Sequence, residues 1–465
     1  MTVAQMTALT GRVVHPGDPG YDAASAGWNG LHVRRPAAVV FAAETADVVN
    51  ALAWARHRGL PVRARSGRHA LEGWSAVDGG VVIDVSGLTS VTVDPESATA
   101  TLGAGIDQLQ AVTALGEAGF AAPTGTEGSV GLVGATLGGG FGLLSRPFGM
   151  ACDHLLAAEI VLAPAAGGAE VVVVDERHHG DLLWALRGAG NGTFGVVTSM
   201  TMRIHPVTRT VRLVATWPGL GHFRSLFDAW QRHAPHGDDR LTSQLEVTAE
   251  EVTLTAVLVA GSEADPEGDM RALLDPMLRI GRPDVVVTDG DWGRTFAGFQ
   301  IPLEEEPANW KFTSQFVVEP FPPRAIEMLA AALEEAPPGC NYFTNALGGA
   351  VATDEPTGGS AFAHRRALFY AEPGAGWGDR GGPPPEEERT AACLDWVRRL
   401  TEALAPYVDG AYVNVPNAGI QDWEAAYWGD NVARLRAVKA GYDPCRVFDA
   451  EHGITPGETE DRWLR

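Results

Sequence analysis

The residues best placed for chemistry sit in one short stretch, Arg65-Ser66-Gly67-Arg68-His69-Ala70, which continues through Leu71-Glu72 to Gly73. Two arginines, several small residues and an imidazole share it. The strand-like run Leu60-Pro61-Val62-Arg63-Ala64 comes just before, so the stretch reads as a turn leaving a strand. Small residues let backbone N–H groups approach a phosphate, and the arginines add positive charge. A second stretch, Gly131-Leu132-Val133-Gly134-Ala135-Thr136-Leu137-Gly138-Gly139-Gly140-Phe141-Gly142, is dense in glycine. Its backbone could meet a pyrophosphate without lysines, although taken alone it reads equally well as a glycine-rich surface turn.

Other constellations carry less. Gly190-Asn191-Gly192-Thr193-Phe194-Gly195 has the G-x-G-x-x-G spacing. A dinucleotide fingerprint follows a strand and opens a helix; here a helix precedes and a strand follows, which disfavours a Rossmann site. His178, His179 and Asp181 sit in a polar loop before a helix and read as solvated rather than as metal ligands. No G-x-S-x-G elbow occurs, which disfavours a serine hydrolase.

The elements that must hold these stretches follow from periodicity. Ala38–Phe41 reads as a strand and Glu44 to Gly59 as a helix, with Val48, Leu52 and Ala55 on one face. Pro61–Arg65 and Val81–Val85 read as further strands. Val91–Val93 with Ala98–Leu102 reads as a hairpin, and Ile106–Ala118 as a helix ended by Gly119. Gly125 to Gly142 reads as a loop. Ala157–Leu162 and Glu170–Val174 read as paired strands, Asp181–Leu186 as a short helix, and Gly195 to Ile204 as a strand. The character changes near Val211. Strands Val211–Trp217, Val252–Ala260 and Thr313–Val318 then alternate with longer helices, clearest at Pro323–Glu335 and Glu386–Leu404. Gly374–Pro385 reads as a flexible loop and Asn431–Lys439 as a helix. The fold class is α+β rather than a regular βαβ array.

Composition bounds the rest. The chain has 465 residues, 45% of them hydrophobic, enough for two or three domains with large cores. A net charge of -23 argues against nucleic acid or anionic membrane as a partner. No apolar run approaches the roughly 18 residues of a membrane helix, and Met1–Gly17 lacks the pattern of a secretory leader. Cys152, Cys340, Cys393 and Cys445 are widely spaced, as suits idle thiols in a reducing cytoplasm.

The Arg65–Gly73 stretch resembles the phosphate loop of the berberine-bridge-enzyme-like FAD-linked oxidases, a group with the PCMH-type FAD-binding domain of the vanillyl-alcohol-oxidase superfamily. The glycine-dense stretch resembles that family's second phosphate segment, and its place downstream of the first loop tips it toward function. Leu144-Ser145-Arg146-Pro147-Phe148-Gly149 through Leu155 is similar to the family's "S-R-K-Y-G-L-x-x-D-N-L", departing at Pro147 and His154. Trp184–Gly188 with Phe194–Thr198 resembles "W-A-L-R-G-x-G-x-x-x-F-G-V-V-T". Gly348–Val351 and Ser360–Arg365 resemble "G-G-A-V" and "T-A-F-x-H-R". Tyr412-Val413-Asn414-Val415-Pro416-Asn417 resembles "Y-x-N-x-x-D" with Asn417 for the aspartate, and two motifs at Tyr427–Leu435 and Lys439–Pro444 follow. The resemblance spans nearly the whole chain.

It implies a two-lobed FAD-binding domain from residues 1–207 and a returning segment, 406–465. Between them, 208–405 would form a substrate domain whose antiparallel sheet is covered by helices. It implies FAD contacts from Arg65, Ser66, Gly67, Arg68, His69, Ala70, Thr136, Gly138, Gly139, Gly142, Asp153, Gly195, Val197, Tyr412 and Asn414. His69 would be bonded to the flavin 8α-methyl carbon. Relatives with a second link carry a cysteine just before the glycine-dense segment. Glu127-Gly128-Ser129-Val130-Gly131 has none, so a single link through His69 is expected. Arg68 stands where relatives usually have glycine, and would either stiffen the loop or add a phosphate contact.

The implied reaction is a two-electron oxidation of an alcohol, an amine or a ring in a small natural-product-like metabolite. A base removes a proton as hydride passes to flavin N5, and dioxygen takes the electrons to give hydrogen peroxide. Tyr412 is the first candidate base, with Asn414 orienting substrate. Tyr370, Tyr342 and Trp310 are candidate pocket residues. Two alternatives stand beside this reading. One is a flavin dehydrogenase that shuns dioxygen, which peroxide production would separate. The other is a flavin-containing drug-binding or resistance protein, which substrate-driven bleaching of the flavin would exclude. Partners are then a small molecule and dioxygen, with no nucleic acid or membrane.

Overall fold

The computed structural model describes residues 8–261 and 263–457. Residues 1–7, over which the leader reading ran, and the end of the returning segment lie outside the described residues.

The amino-terminal part builds two sheets. In the first, strands run in the order Arg12–Val14, Ala38–Phe41, Val81–Asp84, Val62–Arg65. Its last three are parallel, which requires a crossover, and the helix Thr45–His57 supplies it. That helix opens on a capping box between Glu44 and Asp47, the acidic opening visible in the sequence. The second sheet is antiparallel, in the order Val91–Asp94, Thr99–Gly103, Val196–Arg203, Leu155–Leu162, Glu170–Val174. Both expected pairings, of the first two strands and of the last two, are present. One apolar core serves both sheets and reaches into the carboxy-terminal segment through Ala411, Tyr427, Trp428, Leu435 and Phe448.

Residues from Arg209 onward build a larger antiparallel sheet. Its order is Asp284–Gly290, Arg209–Pro218, Glu251–Ala260, Leu241–Val247, Cys340–Ala346, Phe369–Asp379, Pro307–Phe312, with Gln315–Val317 also paired to Phe369–Asp379. One face packs on the helices Phe223–His233, Pro266–Leu278, Pro323–Glu334 and Glu387–Leu404, around Trp217, Phe227, Tyr342, Phe369 and Trp377. Side chains alternate along a strand, so Phe343, Tyr370 and Glu372 take the other face. Phe343 and Tyr370 there meet Met150, Phe141 and Tyr412 of the remaining chain.

Three expectations change. Gly125–Gly142 is not all loop, because Leu132–Gly138 is helical. Gly374–Pro385 is not a loop throughout, because the strand Phe369–Asp379 runs through its first half. Its glycines make room for aromatic rings: a Cβ on Gly374 would lie 2.9 Å from Phe312, and one on Gly376 2.6 Å from Trp310. Tyr342 is not a pocket residue. It is fully buried on the helix-covered face, one residue out of phase with the open one.

Among the described residues the four cysteines are free and no helix is long and apolar enough to cross a membrane. His178 pairs with Asp175, and His179 and Asp181 share the Tyr442 hydroxyl. No group of three or more metal-ligating side chains occurs there.

Candidate active site

The strand Val62–Arg65 ends at the first motif, and the loop's geometry depends on one crossing. A Cβ on Gly67 would overlap the Gly131 amide nitrogen, and one on Gly131 would lie 2.6 Å from the Gly67 nitrogen. The two glycine-bearing loops touch backbone to backbone, which only glycine at both positions permits. The arginines tie the loop to its neighbours. Arg65 donates from Nε to Asp84 at 2.8 Å and from Nη2 to the Ala24 carbonyl at 2.7 Å. Arg68 reaches the Ala23 carbonyl at 3.1 Å and lies 3.8 Å from the same Asp84. These contacts anchor the loop and leave Arg65 Nη1 without a partner among the described residues. Arg68 has φ +65°, a left-handed backbone that costs a non-glycine residue about 1 kcal/mol and that glycine would adopt freely.

Behind the crossing lies a cavity open to solvent. Arg65, Ser66, Gly67, Arg68, His69 and Ala70 line it, with Gly195, Val197 and Asn414. Thr136, Gly138, Gly139, Gly142, Asp153 and Tyr412 do not; they support it. Gly138 and Gly139 give space to Asn414 and Tyr412, whose side chains a Cβ would meet. Gly142 lies against the Thr124 carbonyl. Asp153 is buried, pairs with Arg365 and accepts the Met150 N–H at 3.0 Å. Tyr427, Trp428, Trp74 and His452 line the cavity as well. Neither Trp74 nor His452 belongs to a motif singled out in the sequence.

His69 is half-buried on the cavity wall. Burial, with the charge of Arg380, pushes its pKa down to about 3, so the ring is neutral. Trp28 stacks on it at 4.6 Å, and Trp310 stacks on Trp28 at 5.3 Å. Glu306 holds the Trp28 indole N–H at 2.7 Å. The His69 Nε2 atom lies 2.9 Å from the Ser129 hydroxyl, which also lies 2.9 Å from Glu127.

Tyr412 and Asn414 are locked together. The Tyr412 oxygen accepts from the Gly140 N–H at 2.6 Å and from Asn414 Nδ2 at 2.8 Å. Asn414 also donates to the Ala135 carbonyl and accepts from Asn191. Burial raises the phenol's pKa despite those two donors. Tyr370 packs 5.9 Å from Tyr412 and donates to Glu372 at 2.5 Å. Burial pushes the Glu372 carboxyl up to about 7, with the Glu246 charge adding to it and the Tyr370 hydrogen bond opposing it. Sequence reasoning missed Glu372. Its only signal was one acid inside the apolar run Phe369-Tyr370-Ala371-Glu372.

These features test the fit of a flavin dinucleotide on the protein alone. Arg65 Nη1 and the Thr136 hydroxyl are buried without a partner among the described residues. Hydrogen-bonding capacity left open beside the cavity suits a diphosphate-bridged ligand.

The class is that of an FAD-binding oxidoreductase. A family profile described as "FAD binding domain" matches residues 36–167, and one described as "Berberine and berberine like" matches 411–455. The uncharacterized FAD-linked oxidoreductase YgaK of Bacillus subtilis (strain 168) is 36% identical over 97% of this chain and 98% of its own. The (R)-6-hydroxynicotine oxidase of Paenarthrobacter nicotinovorans is 32% identical over 50% of this chain and 51% of its own. The fold is similar to that of Physcomitrella patens BBE-like 1, with a TM-score of 0.87 at 24% identity, covering 98% of this chain and 100% of that one. The chain belongs to the berberine-bridge-enzyme-like FAD-linked oxidoreductases.

Proposed function

We propose that this protein is an oxidase that removes two electrons from an alcohol, an amine or a ring carbon of a small natural-product-like metabolite, with dioxygen as acceptor and hydrogen peroxide as product. FAD is held by a single covalent bond to His69. Bound there, it would supply the acceptor for a hydride and pass the electron pair to dioxygen. The observation that carries the reading is the Glu372–Tyr370 pair, a carboxyl poised near neutrality on the sheet face that meets the Tyr412 cluster.

The division of labour follows from the contacts. Arg65 through Ala70, Gly195, Val197 and Asn414 bind the cofactor along the cavity. Thr136, Gly138, Gly139, Gly142 and Asp153 hold the wall behind it. Tyr412 and Asn414 fix the carboxy-terminal segment against the glycine loop and orient substrate. We assign the proton-taking step to Glu372 rather than to Tyr412, because the Tyr412 oxygen already receives two N–H donors and its pKa is raised. Tyr370 holds the Glu372 carboxylate by its hydroxyl. Residues 1–207 with 406–465 serve as the FAD-binding unit and 208–405 as the cover that carries Glu372, a division supported by the two separate cores. The free thiols favour a cytoplasmic setting.

Acid precipitation of the purified protein tests the cofactor reading. Yellow colour that stays with the pellet and maps to the His69 peptide alone is expected; a colourless pellet refutes the bond. Peroxide released in air from a panel of alcohols and amines tests the acceptor. Anaerobic bleaching without aerobic peroxide would replace the oxidase with a dehydrogenase.

A further inference from the structure

Ser129 and Glu127 stand where the family's second flavin link would fall, and the structure gives them contacts that no such link explains. The Ser129 hydroxyl has one proton and lies 2.9 Å from both His69 Nε2 and Glu127 Oε1. A carboxylate only accepts, so the serine proton goes to Glu127 and the serine oxygen accepts from His69. The arrangement therefore selects the imidazole tautomer with the proton on Nε2. It leaves the lone pair on Nδ1, which no described residue bonds. The Ser129 N–H donates to the same carboxylate oxygen at 3.1 Å, which fixes the short loop. Trp28 stacked on the ring fixes its plane, and the charge of Arg380, which pairs with Glu306, acts on it.

We propose that Glu127 and Ser129 form a proton relay that makes His69 Nδ1 the nucleophile for attachment of its own cofactor. The inference rests on the covalent reading above. In the step, a C–H bond of the flavin 8α-methyl breaks and a C–N bond forms to Nδ1. The methyl proton leaves to solvent. The Nε2 proton, acidified once Nδ1 is alkylated, passes through Ser129 to Glu127. The electron pair of the broken C–H bond remains on the ring system until dioxygen takes it, with two protons, as hydrogen peroxide. Glu127 and Ser129 are positioning residues here, since His69 alone touches the cofactor's reacting carbon.

The test is attachment kinetics on the full chain, produced without flavin and then mixed with FAD in air. FAD bound before the acid step is read by visible absorbance, and FAD kept after acid precipitation by colour and by the mass of the His69 peptide. The native chain should attach FAD in a single first-order phase. Ser129→Ala and Glu127→Gln should bind FAD with unchanged affinity yet attach it at least about a hundredfold more slowly, the lower end for a lost proton-transfer group. Ser129→Thr, which keeps the hydroxyl, should recover most of the rate, and His69→Ala should bind without attaching. Native-like attachment by Ser129→Ala and Glu127→Gln would overturn the relay while sparing the bond to His69. Release of all flavin by the native chain would overturn both. Loss of FAD binding in both variants would also overturn the relay, since it would make the pair part of the binding surface.

Discussion

Glu372 carries the sharpest test at the scale of one side chain. Glu372→Gln keeps the shape and the Tyr370 contact but removes the basic form. Substrate-driven flavin reduction should fall by about 10²–10⁴-fold with bound-flavin absorbance unchanged. The native rate should rise with pH through about 7, because the ionised carboxylate is the active form, and the variant should lose that limb. Rapid-mixing measurements at several pH values check both. Arg68 offers a contrasting case. Arg68→Gly relieves the left-handed backbone but gives up the Ala23 and Asp84 contacts, so the thermal midpoint should barely move; Arg68→Val should lower it, because a β-branched residue is strained at φ +65°. His69 was legible because its motif is contiguous. Glu372 was not, because its meaning comes from the partners that folding brings: Tyr370 beside it and Glu246 two strands away across Phe343.

At the scale of elements, glycine was the most readable residue and the most misread. In the Gly125–Gly142 stretch it marked the close backbone approach correctly but hid the helix Leu132–Gly138. In Gly374–Gly378 it suggested a loop where a strand gives up side chains so that Phe312 and Trp310 can lie across it. Gly376→Ala should displace the Trp310 ring and shift the tryptophan emission of the Trp310–Trp28 stack. If emission and stability match those of the native chain, the ring does not depend on that gap. Tyr342 failed for a simpler reason. With a side-chain period of two, a candidate chosen by neighbourhood has even odds of the wrong face, and only the partner helices decide which face is open.

For the whole molecule, stability is concentrated where the parts meet. Arg146 is fully buried and donates to the carbonyls of Leu241, Pro235, Leu347 and Gly237 at 2.6–2.8 Å. Arg146→Met leaves those carbonyls unpaired and should cost about 3–5 kcal/mol, visible as a lower thermal midpoint and faster proteolysis between the parts. The sequence showed this residue only as part of a motif, since its partners lie about ninety to two hundred positions away. Acid should loosen the same region. Buried His154 and half-buried His205 lie Nε2 to Nε2 at 2.6 Å, and desolvation lowers both pKa values to about 4. A histidine with a lowered folded pKa is fully stabilising above its unfolded value and loses that stability as pH falls. The thermal midpoint should therefore drop as pH falls from 6.5 to about 4. The double substitution His154→Gln, His205→Gln should flatten the drop.

The crossing of Gly67 and Gly131 also bears on how such a chain can vary over time. Neither position can acquire even a methyl group while the other strand of backbone stays where it is. Descendants of this sequence are free to redecorate the rims of the two loops, but the pair itself is inherited as one unit, and a lineage that loses one glycine must rebuild the other loop or abandon the cofactor.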